Sequence, residues 1–143
     1  MLTLNQLKLI LKDFFESHGM INSVYYFDDF DFAAERNISY PVANISYLNS
    51  NMSTKTLNHN FKVVIADICQ PDNNDMQDNI HSDSLQVAED FFTFLQNYEG
   101  FNLKRTTSIN KFNDSNGDRT SGIVFTITLE VIRPMNWCNK PTN

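Results

Sequence analysis

The densest group of acidic residues in this chain is Asp28, Asp29 and Asp31, within an aromatic stretch. Carboxylate oxygens are the ligands that Ca²⁺ and Mg²⁺ prefer, so these residues could serve a metal-dependent nuclease or hydrolase. In a strand, Asp29 and Asp31 would share one face and Asp28 would lie on the other. An acidic, solvent-facing strand or loop explains the same residues without a metal, and we favour that interpretation.

A second acidic segment, Asp114-Ser-Asn-Gly-Asp118, resembles part of a calcium-binding loop. However, its Gly stands at the fourth place instead of the sixth, and no Glu stands at the twelfth. The segment is therefore predicted to be a plain hairpin turn.

Nucleophiles and bases are scattered along the chain. His59 and His81 are isolated, and neither belongs to a zinc-binding or metalloprotease pattern. In His81-Ser82-Asp83, a helix-capping role for Ser82 or Asp83 explains the sequence without catalysis. Four glycines leave no loop that could cradle a phosphate. We predict that the protein is not an enzyme and has no cofactor or bound metal.

Composition predicts one domain covering all 143 residues, of which 41% are apolar and 13% aromatic. The net charge of −6 disfavours nucleic-acid binding, because duplex binders need clustered Lys and Arg. No secretory signal or membrane-spanning run is expected. Cys69 and Cys138 are predicted to be separate, reduced thiols.

The first half of the chain predicts one helix and three strands. Thr3 and Gln6 have the spacing of a capping box, an apolar stripe follows, and Gly19 is expected to end the helix in a left-handed conformation. A strand or a strand pair is expected at Asn22–Phe32, and further strands at Tyr40–Tyr47 and at Phe61–Cys69, the three pieces forming a meander. The polar stretch Asn49–Asn60 is expected to be a loop, and Phe61–Cys69 a central strand covered on both faces.

The second half predicts a helix and a closing hairpin. Pro71–Asp78 is expected to be a polar connector, and Gly100 to end a helix that begins near Ser82 or Asp83. Phe101–Phe112 and Gly122–Ile132 are expected to pair around a loop at Asn113–Asp118, followed by a short tail. The predicted fold class is α+β: an antiparallel or mixed sheet of about five strands with two main helices on one side.

Two features point to contacts between subunits. Asp67 interrupts an apolar strand, on the same face as Val63 and Ile65. It is either a strand-end residue that reaches solvent or a contact with a basic residue of another subunit, for which the candidates are Arg105, Arg119 and Arg133. Trp137 is the only Trp, and it is either a core plug or an anchor on a neighbour.

The chain resembles the tail-terminator and tail-completion (head–tail connector) proteins of tailed bacteriophages. The resemblance covers residues 60–138. It depends on the helix Ser82–Leu95 and on the pattern Phe112-Asn-Asp, then Gly122–Ile132, then Asn136-Trp-Cys138. The Asn49–Asn60 stretch departs from the family pattern in its length.

The resemblance implies a homo-oligomeric ring of sixfold or twelvefold symmetry in the virion, at the head–tail junction or tail end, assembled in the host cytoplasm. Its partners would be portal, adaptor or tail proteins. Genomic DNA would pass through the lumen without sequence-specific binding, helped by the negative charge. Asn49–Asn60 and the loop with Asp114 and Asn116 would reach neighbouring rings. The alternative is a non-viral intracellular adaptor of similar fold.

Overall fold

A computed structural model of the chain describes residues 2–26, 39–69, 74–106, 108–114 and 120–133, with the backbone alone at 105, 106 and 114. These residues form an α+β fold, with two helices packed on a six-stranded mixed sheet, so the predicted fold class is confirmed. The elements in chain order are α1 (Leu4–Ser17), β1 (Ser23–Tyr25), β2 (Val42–Met52), β3 (Thr56–Ile68), α2 (Asn74–Asn97), β4 (Asn102–Thr106), β5 (Asn110–Asp114) and β6 (Thr120–Ile132).

The sheet has the order β1-β2-β3-β6-β4, and β5 also pairs with β6. The pairs of β2 with β3 and of β6 with β3, β4 and β5 are antiparallel. β1 is parallel to β2, so the prediction of a meander is wrong at its first strand. The remainder of the predicted strand Asn22–Phe32, from residue 27 onward, lies outside the described residues.

The core lies between the two helices and one face of the sheet. Phe15 of α1, Phe91 of α2 and Phe125 of β6 are fully or almost fully buried there. The ring centroids of Phe15 and Phe91 are 4.7 Å apart, and those of Phe91 and Phe125 are 6.2 Å apart. Aromatic pairs at such distances add to the stabilisation that burial provides, so this cluster fixes both helices on the same face.

Helix α1 begins as its sequence predicts but ends by a different device. The backbone N–H of Gln6 donates to Thr3 Oγ1, and the N–H of Thr3 donates to Gln6 Oε1, which completes the capping box. The helix ends at Ser17, and His18 is extended with φ −78°. Gly100, after α2, is the described glycine with positive φ, at 121°. The predicted left-handed role of Gly19 is therefore wrong.

Helix α2 is longer than predicted. It begins at Asn74, so most of the expected connector Pro71–Asp78 is helical, and Ser82 and Asp83 lie within the helix instead of capping it. Ile80, in the added turns, is 7% exposed. Burial of this side chain stabilises a polar segment whose composition alone favoured a loop.

Strands β2 and β3 are also longer than predicted. Asn49–Met52 belongs to β2 and Thr56–Asn60 to β3, so the connection is only the turn Ser53–Lys55. The prediction of a loop over Asn49–Asn60 is wrong. The error arose because Asn and Ser disfavour strands in general, whereas here Asn49 bonds to Asn60 and Ser50 to His59 across the two strands.

The closing hairpin is confirmed in outline, because β4 and β5 both pair antiparallel with β6. The structure divides the first arm into two strands, and Asn113 and Asp114 belong to β5 instead of the predicted loop. In β3, the side facing the helices is buried from His59 to Ile65. On its other side Ala66 is buried, Val64 is half-buried and Lys62 is exposed. The predicted coverage of both faces therefore holds at only one end.

Candidate functional site

Asp67 lies near the end of β3, on the face that the helices cover. It is half-buried, and Oδ1 accepts a hydrogen bond of 2.8 Å from the backbone N–H of Ile68. Burial raises the pKa of Asp67 above its usual value, the nearby Asp83 carboxylate raises it further, and the bond from Ile68 acts in the opposite direction. The carboxylate is thus held in partial isolation from water, next to another acid.

Asp67 and Asp83 line a small cavity between β3 and α2. Its volume is about 50 Å³, and its other walls include Ile65, Ile80 and Ser84. A water molecule needs roughly 10–15 Å³ of such space, so a few waters fit and an organic cofactor does not. The lining includes two carboxyl groups and no basic side chain. Within the described residues, no three His, Cys, Asp or Glu side chains are placed to hold a metal ion.

Arg133 forms hydrogen bonds within its own chain. Its Nη1 donates to the carbonyl oxygen of Ser53 at 2.7 Å and also contacts that of Thr54 at 3.5 Å. Its backbone N–H donates to the carbonyl oxygen of Lys55 at 2.8 Å. Arg133 therefore fastens the turn between β2 and β3 to the end of β6.

The other predicted interface residues lie at different positions along the strands of the sheet, or outside the described residues. Arg105 is in register with Thr128, and Asp114 is in register with Thr120. Asp67 is in register with Ser121, so it shares an end of the sheet with Asp114, while Arg133 lies at the opposite end. Asn116, Arg119 and Trp137 lie outside the described residues, as do Asp28, Asp29, Asp31 and Cys138.

A chain of polar contacts that the sequence analysis missed connects β2 and β3. The hydroxyls of Tyr47 and Ser50 are 2.5 Å apart, and Ser50 Oγ is 2.7 Å from His59 Nδ1. His59 is only 4% exposed, and burial lowers its pKa. The available signal was the alternation Leu57, His59, Phe61, Val63, which places His59 on the apolar face of a strand.

The contact of Ser50 with His59 has the distance of a nucleophile–base pair, but the rest of a catalytic site is missing from the described structure. The second ring nitrogen, Nε2, is buried and has no hydrogen-bond partner among the described atoms, whereas a catalytic His is oriented by an acceptor there. The arrangement suits a neutral imidazole that joins two strands.

The other two histidines also connect elements. His18 Nε2 lies 2.8 Å from Asp90 Oδ2 and joins the end of α1 to α2. His81 Nε2 lies 3.4 Å from the carbonyl oxygen of Phe112 and joins α2 to β5. The side chains of His81 and Asp83 thus contact different parts of the fold.

The face of the sheet away from the helices, here called the open face, is apolar at one end and polar at the other. Val42 and Ala66 are buried in a small apolar cluster at the end nearest Asp67. Amide, hydroxyl and a few charged side chains occupy most of the rest: Asn44, Ser46, Asn58, Asn60, Lys62, Thr126, Thr128 and Glu130. The exposed Ile132 lies at the far end. Lys104 Nζ lies 3.4 Å from Glu130 Oε2, so this pair neutralises its own charge.

No protein-family model matches the chain, and no curated protein matches it either. In the described part of the chain, neither helix combines the length and the apolar character that a membrane crossing requires.

Proposed function

We propose that this chain is a structural virion protein that forms a ring at the head–tail junction or tail end of a tailed bacteriophage. The ring would be a conduit for DNA and a docking platform for neighbouring rings. The starting point is the resemblance of residues 60–138 to tail-terminator and tail-completion proteins.

The observation that carries the proposal is the difference between the two faces of the sheet. Both helices pack on one face, and amide and hydroxyl groups occupy much of the open face. On this face neutral polar groups outnumber the charged ones, which in the described part of the sheet are Lys62 and the paired Glu130 and Lys104. The face can therefore contact DNA without the clustered Lys and Arg that hold phosphates and release counterions. The net charge of −6 adds a general repulsion that opposes adhesion of the genome.

The two ends of the sheet supply contacts for neighbouring rings. The turn Ser53–Lys55, fastened by Arg133, lies at one end. The end of β5 at Asp114 lies at the other, near Asp67. If the strands run along the ring axis, these ends face the rings above and below, and loops on a rigid scaffold are the usual place for such contacts.

The test is to image the purified full-length chain, alone and with candidate portal, adaptor or tail proteins, and to measure its mass by light scattering. Closed rings, free or on a partner, support the proposal. A chain that remains monomeric or dimeric and joins none of these proteins overturns it and favours the adaptor alternative.

A further inference from the structure

The outer edge of β2 is paired over only part of its length. β1 lies beside Val42–Asn44, and within the described residues no strand lies beside Tyr47–Met52. That segment carries no charged residue, and Leu48 and Met52 are 47% and 65% exposed. Native sheets usually protect such an edge with Lys or Pro, and Tyr47–Met52 contains neither, so among the described strands this edge is open to a further strand.

The outer edge of β4 has the opposite character. β4 pairs with β6 on one side, and among the described strands it has no neighbour on the other. It carries Lys104 and Arg105, and Lys111 follows in β5, with no acidic residue between Asn102 and Asn113. Lys104 is paired with Glu130 of its own chain, but two β4 edges would still bring Arg105 of each copy to one interface, and like charges on paired strands are destabilising. The better complement is an uncharged edge, as on β2.

The strand directions allow these two edges to meet. β2 and β6 are both antiparallel to β3, so they run in the same direction. β4 is antiparallel to β6, and therefore to β2. A second copy placed beside the first in the same orientation would bring β4 against β2 as an antiparallel pair, the pairing that prevails within the sheet.

The registers also place the two edges at the same height. We call a row of paired residues that runs across the sheet, from β2 through β3 and β6 to β4, a rung. Two rungs connect the β2 edge with the β4 edge. The rungs are Asn51–Asn58–Glu130–Asn102 and Tyr47–Phe61–Ile127–Thr106. The segment of β2 that has no neighbour is thus level with β4, whereas the segment beside β1 is level with β5.

Both edges carry one extra residue next to the same rung. The register shift in β2 falls at Leu48 and that in β4 falls at Lys104, on either side of the rung through Asn60 and Thr128. On this rung Thr128 Oγ1 donates to Asn60 Oδ1 at 2.6 Å, and Asn60 Nδ2 donates to Asn49 Oδ1 at 2.5 Å. The amide and hydroxyl ladder therefore reaches the β2 edge.

We propose that β4 of one copy pairs with Tyr47–Met52 of the next, so that the sheet continues from subunit to subunit. The contact joins two different patches, and such heterologous contacts build closed rings or open filaments. This inference rests on the proposed ring and identifies its interface. The partner is a second copy of this chain, and the open face becomes one continuous wall.

Cysteine cross-linking tests the pairing directly. Asn51 and Asn102 are exposed and level with each other, and facing α-carbons of an antiparallel pair lie about 4.5–5.5 Å apart, within disulfide range. In a Cys138→Ser background, Asn51→Cys with Asn102→Cys should give a ladder of cross-linked oligomers under mild oxidation. Each single variant should remain uncross-linked.

Lys111 supplies an out-of-register control. It is level with Ala43 of β2, which is seven rungs from Asn51 because Leu48 is an extra residue, or about 23 Å along the sheet at about 3.3 Å per residue. Asn51→Cys with Lys111→Cys should therefore give no ladder. A ladder from this pair, or none from Asn51→Cys with Asn102→Cys in a chain that forms rings, would overturn the proposed pairing.

Matched charge substitutions test the edge without cysteines. Leu48→Lys places a charge on the β2 edge, and Leu85→Lys places the same charge on α2, at similar exposure of 47% and 42%. Leu48→Lys should reduce oligomer formation at least tenfold in concentration, with an unchanged circular dichroism spectrum, while Leu85→Lys should assemble as wild type does.

The failures of the two proposals are distinguishable. Rings that survive Leu48→Lys and give no cross-link refute the edge pairing and leave the ring itself standing. A second outcome is a discrete dimer in which the single variant Asn51→Cys cross-links. That result refutes the heterologous contact and favours pairing between two β2 edges. A chain that stays monomeric with and without partners refutes both proposals.

Discussion

Gly122 should be the glycine that the sheet least tolerates losing. It lies in β6, opposite Ala66 of β3 and Phe112 of β5. A β-carbon at this position would lie 1.9 Å from the carbonyl oxygen of Ile65 and 2.8 Å from the α-carbon of Ala66. Carbon–oxygen contacts between strands are about 3.3–3.6 Å, so roughly 1.5 Å of backbone displacement is required.

The cost of Gly122→Ala follows from what must move. Overpacking a core costs about 1–3 kcal/mol when side chains can shift. Here the obstacle is the backbone of β3, which is paired on both sides, so we expect the upper end of that range, about 3 kcal/mol. For a domain of this size the melting temperature falls by about 3–5 °C per kcal/mol, which gives a loss of roughly 10–15 °C.

Gly19 provides the matched control, because a β-carbon there meets no atom within 4 Å. Gly19→Ala should change the free energy of unfolding by less than about 0.5 kcal/mol. Urea unfolding followed by circular dichroism measures both variants. Gly122→Ala within 1 kcal/mol of wild type would refute the reasoning, since β3 and β6 would then not approach as described. An insoluble Gly122→Ala chain beside a soluble Gly19→Ala chain would support it.

Five further substitutions probe four local features of the fold. Burial lowers the pKa of His59, so its neutral form stabilises the fold above about pH 6.5. As the pH falls, the unfolded chain gains this proton first. The free energy of unfolding should therefore decrease between about pH 7 and 5, and His59→Gln should remove that decrease. Burial raises the pKa of Asp67, so the charged carboxylate destabilises the fold near neutral pH. Asp67→Asn should therefore raise the melting temperature at about pH 7. It should not do so near about pH 3, where the carboxyl group of the unsubstituted protein is protonated. Arg133→Ala should cost about 0.5–1.5 kcal/mol and speed amide exchange in the Ser53–Lys55 turn, which retained protection would contradict. Thr3→Ala should lower the free energy of unfolding by about 1 kcal/mol. Gln6→Ala should lower it less in the Thr3→Ala variant than in the wild type, because the two side chains form one capping box.

The features predictable from the sequence were those set by neighbouring residues. The capping box of α1 depends on side chains three positions apart, and the apolar alternation in β6 depends on its own period. Both survive in the structure without help from distant parts of the chain. That each helix packs by one side followed from the same local patterns, because each has a single wide apolar stripe, whereas their sharing one face of the sheet is set by the core contacts.

The features that sequence reasoning missed depend on distant partners. The strand at Asn49–Met52 forms because Thr56–Asn60 lies beside it and supplies backbone and side-chain bonds, which local propensity does not record. The parallel direction of β1 is a property of its pairing with β2, and the residues of β1 contain no pattern that records it. The partner of His59 was hidden for the same reason, because Ser50 becomes its neighbour only across the hairpin.

Under the proposed function, the distribution of charge predicts which face of the sheet lines the lumen. The solvent side of α2 carries the exposed acids Asp75, Asp78 and Glu89, whereas on the open face the charge of Glu130 is matched by Lys104 and Lys62 adds one exposed positive charge. With the helices outside, DNA would slide along amides and hydroxyls, and added positive charge on the open face would retard it. Thr126→Lys, on the open face, should therefore slow DNA ejection from assembled particles, whereas Glu89→Lys on α2 should not. The opposite result would place the helices inside the ring, with their carboxylates repelling the genome.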